Sequence, residues 1–229
     1  MKVSALIPIK GFHNAKQRLS PLLDRAEREC FAEIMFRHVV RQVVQARGLT
    51  EAYVVTRDER VGAIAGSLGA KVIHEQAETG ETDAVDFARA ELMGMGYEAV
   101  LIVPGDMPLI RSEDIEQVLS QVSARAAAPF ALLVPSHDRM GTNALLLAPP
   151  DIINLRFGYD SFTYHMSQVS AQGLPLRFFE NERIALDIDE PRDLERFLAF
   201  GDEAGEGFRA ARKILQAREA GNKRRSGGR

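Results

Sequence analysis

The chain of 229 residues has one cysteine, Cys30, which excludes an internal disulfide framework and fits a reducing compartment. No segment approaches the ~20 apolar residues of a membrane-spanning helix. The chain enters the strand-like Val3-Ser-Ala-Leu-Ile-Pro-Ile9 with no basic region and apolar core of a signal peptide before it. A cytoplasmic protein with no membrane partner is expected. Charge of one sign is also lacking: 29 Lys+Arg against 32 Asp+Glu leave a net charge of −3, which gives no reason to expect a nucleic-acid partner. The fingerprints GxxxxGK[ST] and GxGxxG are both missing, so neither a Walker-type NTPase nor a dinucleotide dehydrogenase is supported. No Ser-His or Cys-His motif marks a covalent nucleophile. The histidines at 13, 38, 74, 137 and 165 form no close pair with metal-ligand spacing.

What is present is an alternation of apolar runs and helical patterns, long enough for one large α/β domain. Val3–Ile9, Ala52–Thr56, Lys71–His74 and Ala99–Val103 read as strands. Between them lie helical patterns over Ala26–Ala46, Glu59–Leu68 and Thr82–Met95. Asp24 followed by Glu27 resembles a capping box, and Ser112 is expected to cap a further helix whose first turn carries Glu113 and Asp114. Strand and helix in this order imply a mostly parallel sheet with right-handed crossovers, whose ligands collect at the carboxyl ends of the strands.

The second half is less regular. Phe130–Val134 and Ala144–Ala148 read as strands joined by a polar loop that contains Gly141, Thr142 and Asn143. Phe157–Phe162 precedes a helix to about Gln172, and Pro191 opens another with Leu194, Phe197 and Leu198 on one face. Residues 1–200 are taken as the catalytic domain. From Asp202 the composition turns to Ala, Glu, Arg and Lys, so 201–229 is expected to be a solvated helix and a disordered basic tail. Cys30 is expected to pack in the core.

One carboxylate stands out. Ala99-Val-Leu-Ile-Val-Pro-Gly-Asp106-Met-Pro-Leu109 delivers Asp106 to the end of a strand buried on both faces, where an anion needs a partner. In Ile184-Ala-Leu-Asp187-Ile-Asp189-Glu-Pro191, an extended backbone points Asp187 and Asp189 to the same side. The three can converge on one Mg2+, which prefers oxygen ligands and keeps substrate phosphates in its shell. Near the first strand, Pro8, Lys10, Lys16 and Arg18 form a loop suited to polyphosphate. Each feature also has a plain structural role open to it. Asp106 suits a turn, Asp187 and Asp189 a helix entry, Ser161 a helix cap, Gly158 a turn, and the basic residues an ordinary surface.

Taken in order, Pro8-x-Lys10, Lys16-x-Arg18-Leu19, Pro104-Gly-Asp-Met-Pro108, Gly141-Thr-Asn-Ala-Leu145, Phe157-Gly-x-x-Ser-Phe162 with His165, and Leu186-Asp-Ile-Asp189 resemble one family over roughly Met1 to Phe200. It is the 2-phospho-L-lactate or phosphoenolpyruvate guanylyltransferase family of coenzyme F420 biosynthesis. The resemblance implies a single GT-A-like domain of the nucleotide-diphospho-sugar transferase type, with GTP as co-substrate and Mg2+ as cofactor. GMP would pass to a phosphorylated three-carbon acid. Asp106, Asp187 and Asp189 would be the metal ligands, and Thr142, Gly158 and Ser161 the phospho-acid contacts. Lys16, Arg18 and Asp106 are assigned to catalysis, and Pro8, Lys10, Lys16, Arg18, Gly80 and Asp83 to the nucleotide. The segment Gly80-Glu-Thr-Asp83-Ala84 departs from the Gly-Leu-Asn-Ala common in relatives.

An acceptor that is already an ionised phosphate needs alignment and charge neutralisation more than a strong base. Three acceptors stay open: phosphoenolpyruvate, 2-phospho-L-lactate and 3-phosphoglycerate, with phosphoenolpyruvate preferred. The rivals are a nucleotidyltransferase acting on a sugar phosphate or molybdenum cofactor, a GT-A glycosyltransferase using Asp187-x-Asp189, and a non-catalytic nucleotide-binding protein. Monomer and homodimer are both compatible with the sequence.

Overall fold

A computed structural model describes residues 1–75, 80–123, 129–200, 205–213 and 216. Six strands, β1 (Val3–Pro8), β2 (Glu51–Thr56), β3 (Lys71–His74), β4 (Ala99–Ile102), β5 (Phe130–Pro135) and β6 (Thr142–Ala148), form one sheet in the order β3-β2-β1-β4-β6-β5. The first four are mutually parallel, while β6 runs antiparallel to both β4 and β5. Chain order therefore reverses between β1 and β4, and a crevice opens there beyond their carboxyl ends.

The helices are α1 (Arg25–Gln45), α2 (Glu59–Ser67), α3 (Glu81–Gly94), α4 (Ser112–Ser123), α5 (Ser161–Ala171) and α6 (Pro191–Ala199), of which the first five pack on the sheet. Every residue of β1 is buried because both faces of the strand are covered. Ala5 and Ile7 meet Phe36 and Val39 of α1 and Ile115 of α4 in one cluster. Leu6 meets Val85, Ala88 and Leu92 of α3 in another, with Phe162 and Val169 of α5. A third cluster, away from the sheet, joins Leu19, Phe31, Ile188, Leu194 and Phe197. It ties the segment carrying Asp187 and Asp189 to α1 and α6.

The expected elements are present, with differences at their ends. Asp24 and Glu27 form the capping box of α1. Ser112 is the first residue of α4 rather than its cap. The cap position is held by Arg111, whose carbonyl accepts from Asp114 N–H and whose N–H donates to Asp114 Oδ2 at 2.9 Å. Strand β6 begins at Thr142, so Thr142 and Asn143 stand on the sheet and not in the loop. Cys30 is exposed on α1, since the helix turns Phe31 and Met35 inward instead. The C-terminal helix is not wholly solvated. Over 206–213 it buries Phe208 and Ala211, and the Phe208 ring lies 6.0 Å from that of Phe197. The basic tail expected after it, 217–229, lies outside the described residues. Among the described residues, no helix is long and apolar enough to cross a membrane.

Candidate active site

Asp106 follows β4 in a turn, and Asp187 and Asp189 lie on an extended stretch that is not part of the sheet. Ile188 N–H reaches the Asp106 carbonyl at 3.4 Å, which brings the two segments side by side. One carboxylate oxygen from each of Asp106, Asp187 and Asp189 then falls within 4.8 Å of the others. Period-two geometry does carry Asp187 and Asp189 to one side, without a strand around them.

The long stretch before α6 is anchored by three buried side chains, Asp114, Asn143 and Asp193, and by the half-buried Asn181. Asp114, fully buried, accepts from Asn181 Nδ2 and from Arg183 Nε, each at 2.8 Å. Asn181 Oδ1 in turn accepts from the N–H groups of Arg183 and Ile184. Asn143 Nδ2 donates both to the Ile184 carbonyl and to Asp187 Oδ1, at 3.0 Å each. Asp193 Oδ2 accepts from the N–H groups of Asp189 and Glu190 at the start of α6. The carboxylates are thus held through their neighbours as well as through their own backbone.

Lys16 sits among them. Its Nζ donates to Asp106 Oδ2 at 2.6 Å and to Asp189 Oδ1 at 2.9 Å, with the side chain almost fully buried. Burial opposes the ammonium charge, but Asp106 and Asp189 outweigh it and hold the group above the ordinary lysine range. Lys16 takes a left-handed backbone, φ 53°, just before the 3-10 turn Gln17–Leu19. Arg18, mostly exposed, reaches 3.9 Å from Asp189 Oδ2.

Burial, with the charge of Asp106 beside it, pushes the Asp187 carboxyl up to about 6. Asp189 is also raised by burial, yet Lys16 brings it below the usual range. Asp106 Oδ1 is buried and has no hydrogen-bond partner among the described residues. Three carboxylates against one ammonium leave uncompensated negative charge, and an orphan buried oxygen among all-oxygen donors suits a hard divalent cation.

Two cavities meet at this cluster. One, of about 650 Å³, runs past Thr142, Gly158 and Ser161. The other, of about 350 Å³, is lined by Pro8, Lys10, Lys16 and Ala84. Glu81, Pro104, Asp106 and Asp189 border both. Arg18 faces the larger cavity. Gly80 and Asp83 are not among the residues lining either one. Glu81 and Ala84 are, because positions three apart share a helix face and Asp83 lies off it.

Glu81 is a cavity-lining residue that sequence reasoning missed. Although Glu81 is exposed to solvent overall, desolvation of its carboxyl by the surrounding cleft walls and the charge of Asp106 push it up to about 7, against the pull of Lys10. Its place in the first turn of a helix pointing at the crevice was the available signal. On the other side, Thr142 N–H donates to Ser161 Oγ at 3.1 Å, and Thr142 Oγ1 pairs with His165 Nδ1 at 3.0 Å. All three side chains are buried. Gly158 has φ +99° and open space where a Cβ would stand, so the backbone there can approach a ligand.

Comparison with known proteins identifies the family and the fold. Residues 3–218 match the model of the family described as "Guanylyl transferase CofC like". The chain is 34% identical over 201 residues to a phosphoenolpyruvate guanylyltransferase of Rubrobacter xylanophilus, covering 88% of this chain and 96% of that protein. It is 33% identical over 202 residues to a 2-phospho-L-lactate guanylyltransferase of Methanothermobacter thermautotrophicus, covering 88% and 86%. Among solved structures it resembles one described as a nucleotide-diphospho-sugar transferase from Desulfovibrio desulfuricans G20. The TM-score is 0.72 at 17% identity over 94% of this chain and 98% of that one, a likeness of fold alone.

Proposed function

Because the chain belongs to the CofC-like guanylyl transferase family, we propose that it transfers GMP from GTP to the phosphate of a phosphorylated three-carbon acid in coenzyme F420 biosynthesis. Pyrophosphate is the second product. The observation that carries this is the meeting of two cavities on Asp106 and Asp189: one is bordered by lysines, the other by buried hydroxyls and a glycine. A transfer between two phosphate-bearing substrates needs such a shared wall, with both ligands reaching one point.

In the reaction, an oxygen of the acceptor phosphate attacks the α-phosphorus of GTP. The new P–O–P bond forms as the bond to the β-phosphate breaks, and the electron pair leaves with pyrophosphate. The attacking oxygen carries no proton at neutral pH, so no base has to remove one. Asp106, Asp187 and Asp189 would hold Mg2+, whose chemistry when bound is charge neutralisation on phosphate oxygens. Pro8 and Lys10 line the nucleotide side. Lys16 and Arg18 would balance charge on the triphosphate and on the departing pyrophosphate. Thr142 and Ser161 would donate hydroxyl hydrogens to the acid, and Gly158 would let the backbone come close. Phosphoenolpyruvate is the acceptor we favour, and the cytoplasm is the compartment that suits these substrates.

The test is to incubate purified protein with each of GTP, ATP, CTP and UTP, Mg2+, and one acceptor at a time, and to measure pyrophosphate. The acceptors are phosphoenolpyruvate, 2-phospho-L-lactate, 3-phospho-D-glycerate and a hexose 1-phosphate. Pyrophosphate is expected only with GTP and a phospho-acid. Release with the sugar phosphate, or with another nucleotide in preference to GTP, would reject the assignment.

A further inference from the structure

We propose that His165 is a positioning residue that sets the Thr142 hydroxyl as a hydrogen-bond donor toward the acceptor acid. The inference deepens the proposed function and rests on the placement of the acid against Thr142 and Ser161.

His165 is completely buried. Its ring stands edge-on to Phe157 at 5.5 Å and to Tyr164 at 5.9 Å between centroids, which fixes its plane. Each ring nitrogen has one partner. Nε2 receives the backbone N–H of Arg156 at 3.3 Å, and Nδ1 faces Thr142 Oγ1 at 3.0 Å. Burial, together with the nearby charges of Arg156 and Arg89, pushes the imidazole down to about 4, so the ring is neutral near pH 7 and carries a single N–H.

The backbone N–H of Arg156 can only donate. A ring proton on Nε2 would set donor against donor in a buried place, so the proton belongs on Nδ1. Nδ1–H therefore donates to Thr142 Oγ1. That oxygen now has its acceptor role filled from the protein, and its own hydrogen is left for another acceptor. Ser161 is set the same way: its Oγ receives Thr142 N–H, which leaves its hydrogen to spare. Among the described residues neither hydroxyl donates to a protein acceptor, and both border the larger cavity. Two buried hydroxyls whose free valence is a hydrogen suit an anion and disfavour a ligand that presents donors. The polarity of the subsite is thus traced back, through His165, to one backbone N–H of the loop before α5.

The test combines a spectrum with kinetics. In wild-type protein labelled with 15N-histidine at pH 7, two-bond proton–nitrogen correlation should show His165 protonated on Nδ1 and bare on Nε2. An Nε2–H tautomer overturns the inference, whatever the substrate proves to be. For kinetics, His165→Phe keeps the bulk and removes the donor. It should raise KM for phosphoenolpyruvate about tenfold, the equivalent of one buried hydrogen bond, and leave KM for GTP unchanged. His165→Asn puts an amide N–H near the place of Nδ1–H and should recover much of that loss, which keeps the test open if the Phe variant folds poorly. Equal rises in both KM values, or no recovery with Asn, would make His165 a packing residue and overturn the inference. If the tautomer is as stated but Thr142→Val leaves phosphoenolpyruvate binding unchanged, the acid has been placed wrongly and the assigned role falls with it.

Discussion

Lys16 and Asp106, 90 residues apart in the chain, are joined at 2.6 Å in an ion pair, and the same ammonium reaches Asp189 at 2.9 Å. The ammonium does there what a divalent cation does better, since it offsets only part of the charge and leaves Asp106 Oδ1 without a partner among the described residues. Under the proposed reaction, a lysine in this place would hold the site together before metal and triphosphate bind, and would then follow the phosphates.

Lys16→Ala is therefore expected to have two separable effects. Without metal, three facing carboxylates lose their counter-ion, so the variant should melt lower than wild type in EDTA and gain more in Tm than wild type when Mg2+ is added. With substrates, losing a charge-assisted phosphate contact should cost ~1.5–3 kcal/mol in kcat/KM for GTP. Thermal melts in EDTA and in Mg2+, set beside initial rates, check both. Equal melting shifts in the two proteins would deny the competition between lysine and metal.

Asp106→Asn is expected to abolish turnover with little loss of stability. The amide keeps the shape and removes one of three like charges, so the remaining carboxylates repel less. The same variant should lose the Tm increase on adding Mg2+. Activity of wild type in excess EDTA is expected to vanish and to return with Mg2+. Normal kcat in Asp106→Asn, or full activity in EDTA, would sink the metal assignment.

Asp114 lies outside both cavities, yet it clips the segment that presents Asp187 and Asp189. Its carboxyl is pushed up by burial, but Arg183 and Asn181 hold it below the usual carboxylate range. Asp114→Ala should lose about 2–3 kcal/mol in urea unfolding, because it strands Arg183 and Asn181, with Arg183 still partly open to water. kcat should fall in the same variant through misplacement of the carboxylates. A variant as active and as stable as wild type would show that the segment is anchored elsewhere.

These residues differ in how far a sequence reveals them. Asp106 is legible because a run buried on both faces leaves only one charged residue at its end, and Asp187 and Asp189 because alternation points both one way. Asn143 and Asp114 escape such reasoning, although they hold the carboxylates in place. Their partners lie 44 residues away for Asn143 and 67 for Asp114, and no local period records such a pairing. Cys30 illustrates a related limit. A thiol on an amphipathic helix suits either face, and only packing shows that Phe31 and Met35 take the inner one. The register of α3, which sends Glu81 and Ala84 into the cleft and Asp83 away from it, follows from where the helix begins. That point is set by Gly80 at φ +143° rather than by any capping side chain.

The neutral His165 makes a prediction about acid stability. Its pKa falls from the ordinary 6.5 to about 4 on folding, so between these values the unfolded chain binds a proton that the native state refuses. Stability from this group is fully present above about pH 6.5 and is lost as pH falls toward 4, a loss on the order of 3 kcal/mol. Asp187, raised to about 6, and Glu81, raised to about 7, have the opposite sign, since the native state binds their protons first and gains stability on acidification. The wild-type profile alone would mix these contributions. His165→Asn keeps the carboxylates and removes the imidazole, so the difference between the two proteins isolates it. Urea unfolding in EDTA at pH 7.0 and 4.5 should show wild type losing stability relative to His165→Asn. Parallel behaviour of the two proteins across that interval would mean that the imidazole is protonated as easily in the fold as out of it, and that the hydrogen bonds drawn around it are wrong.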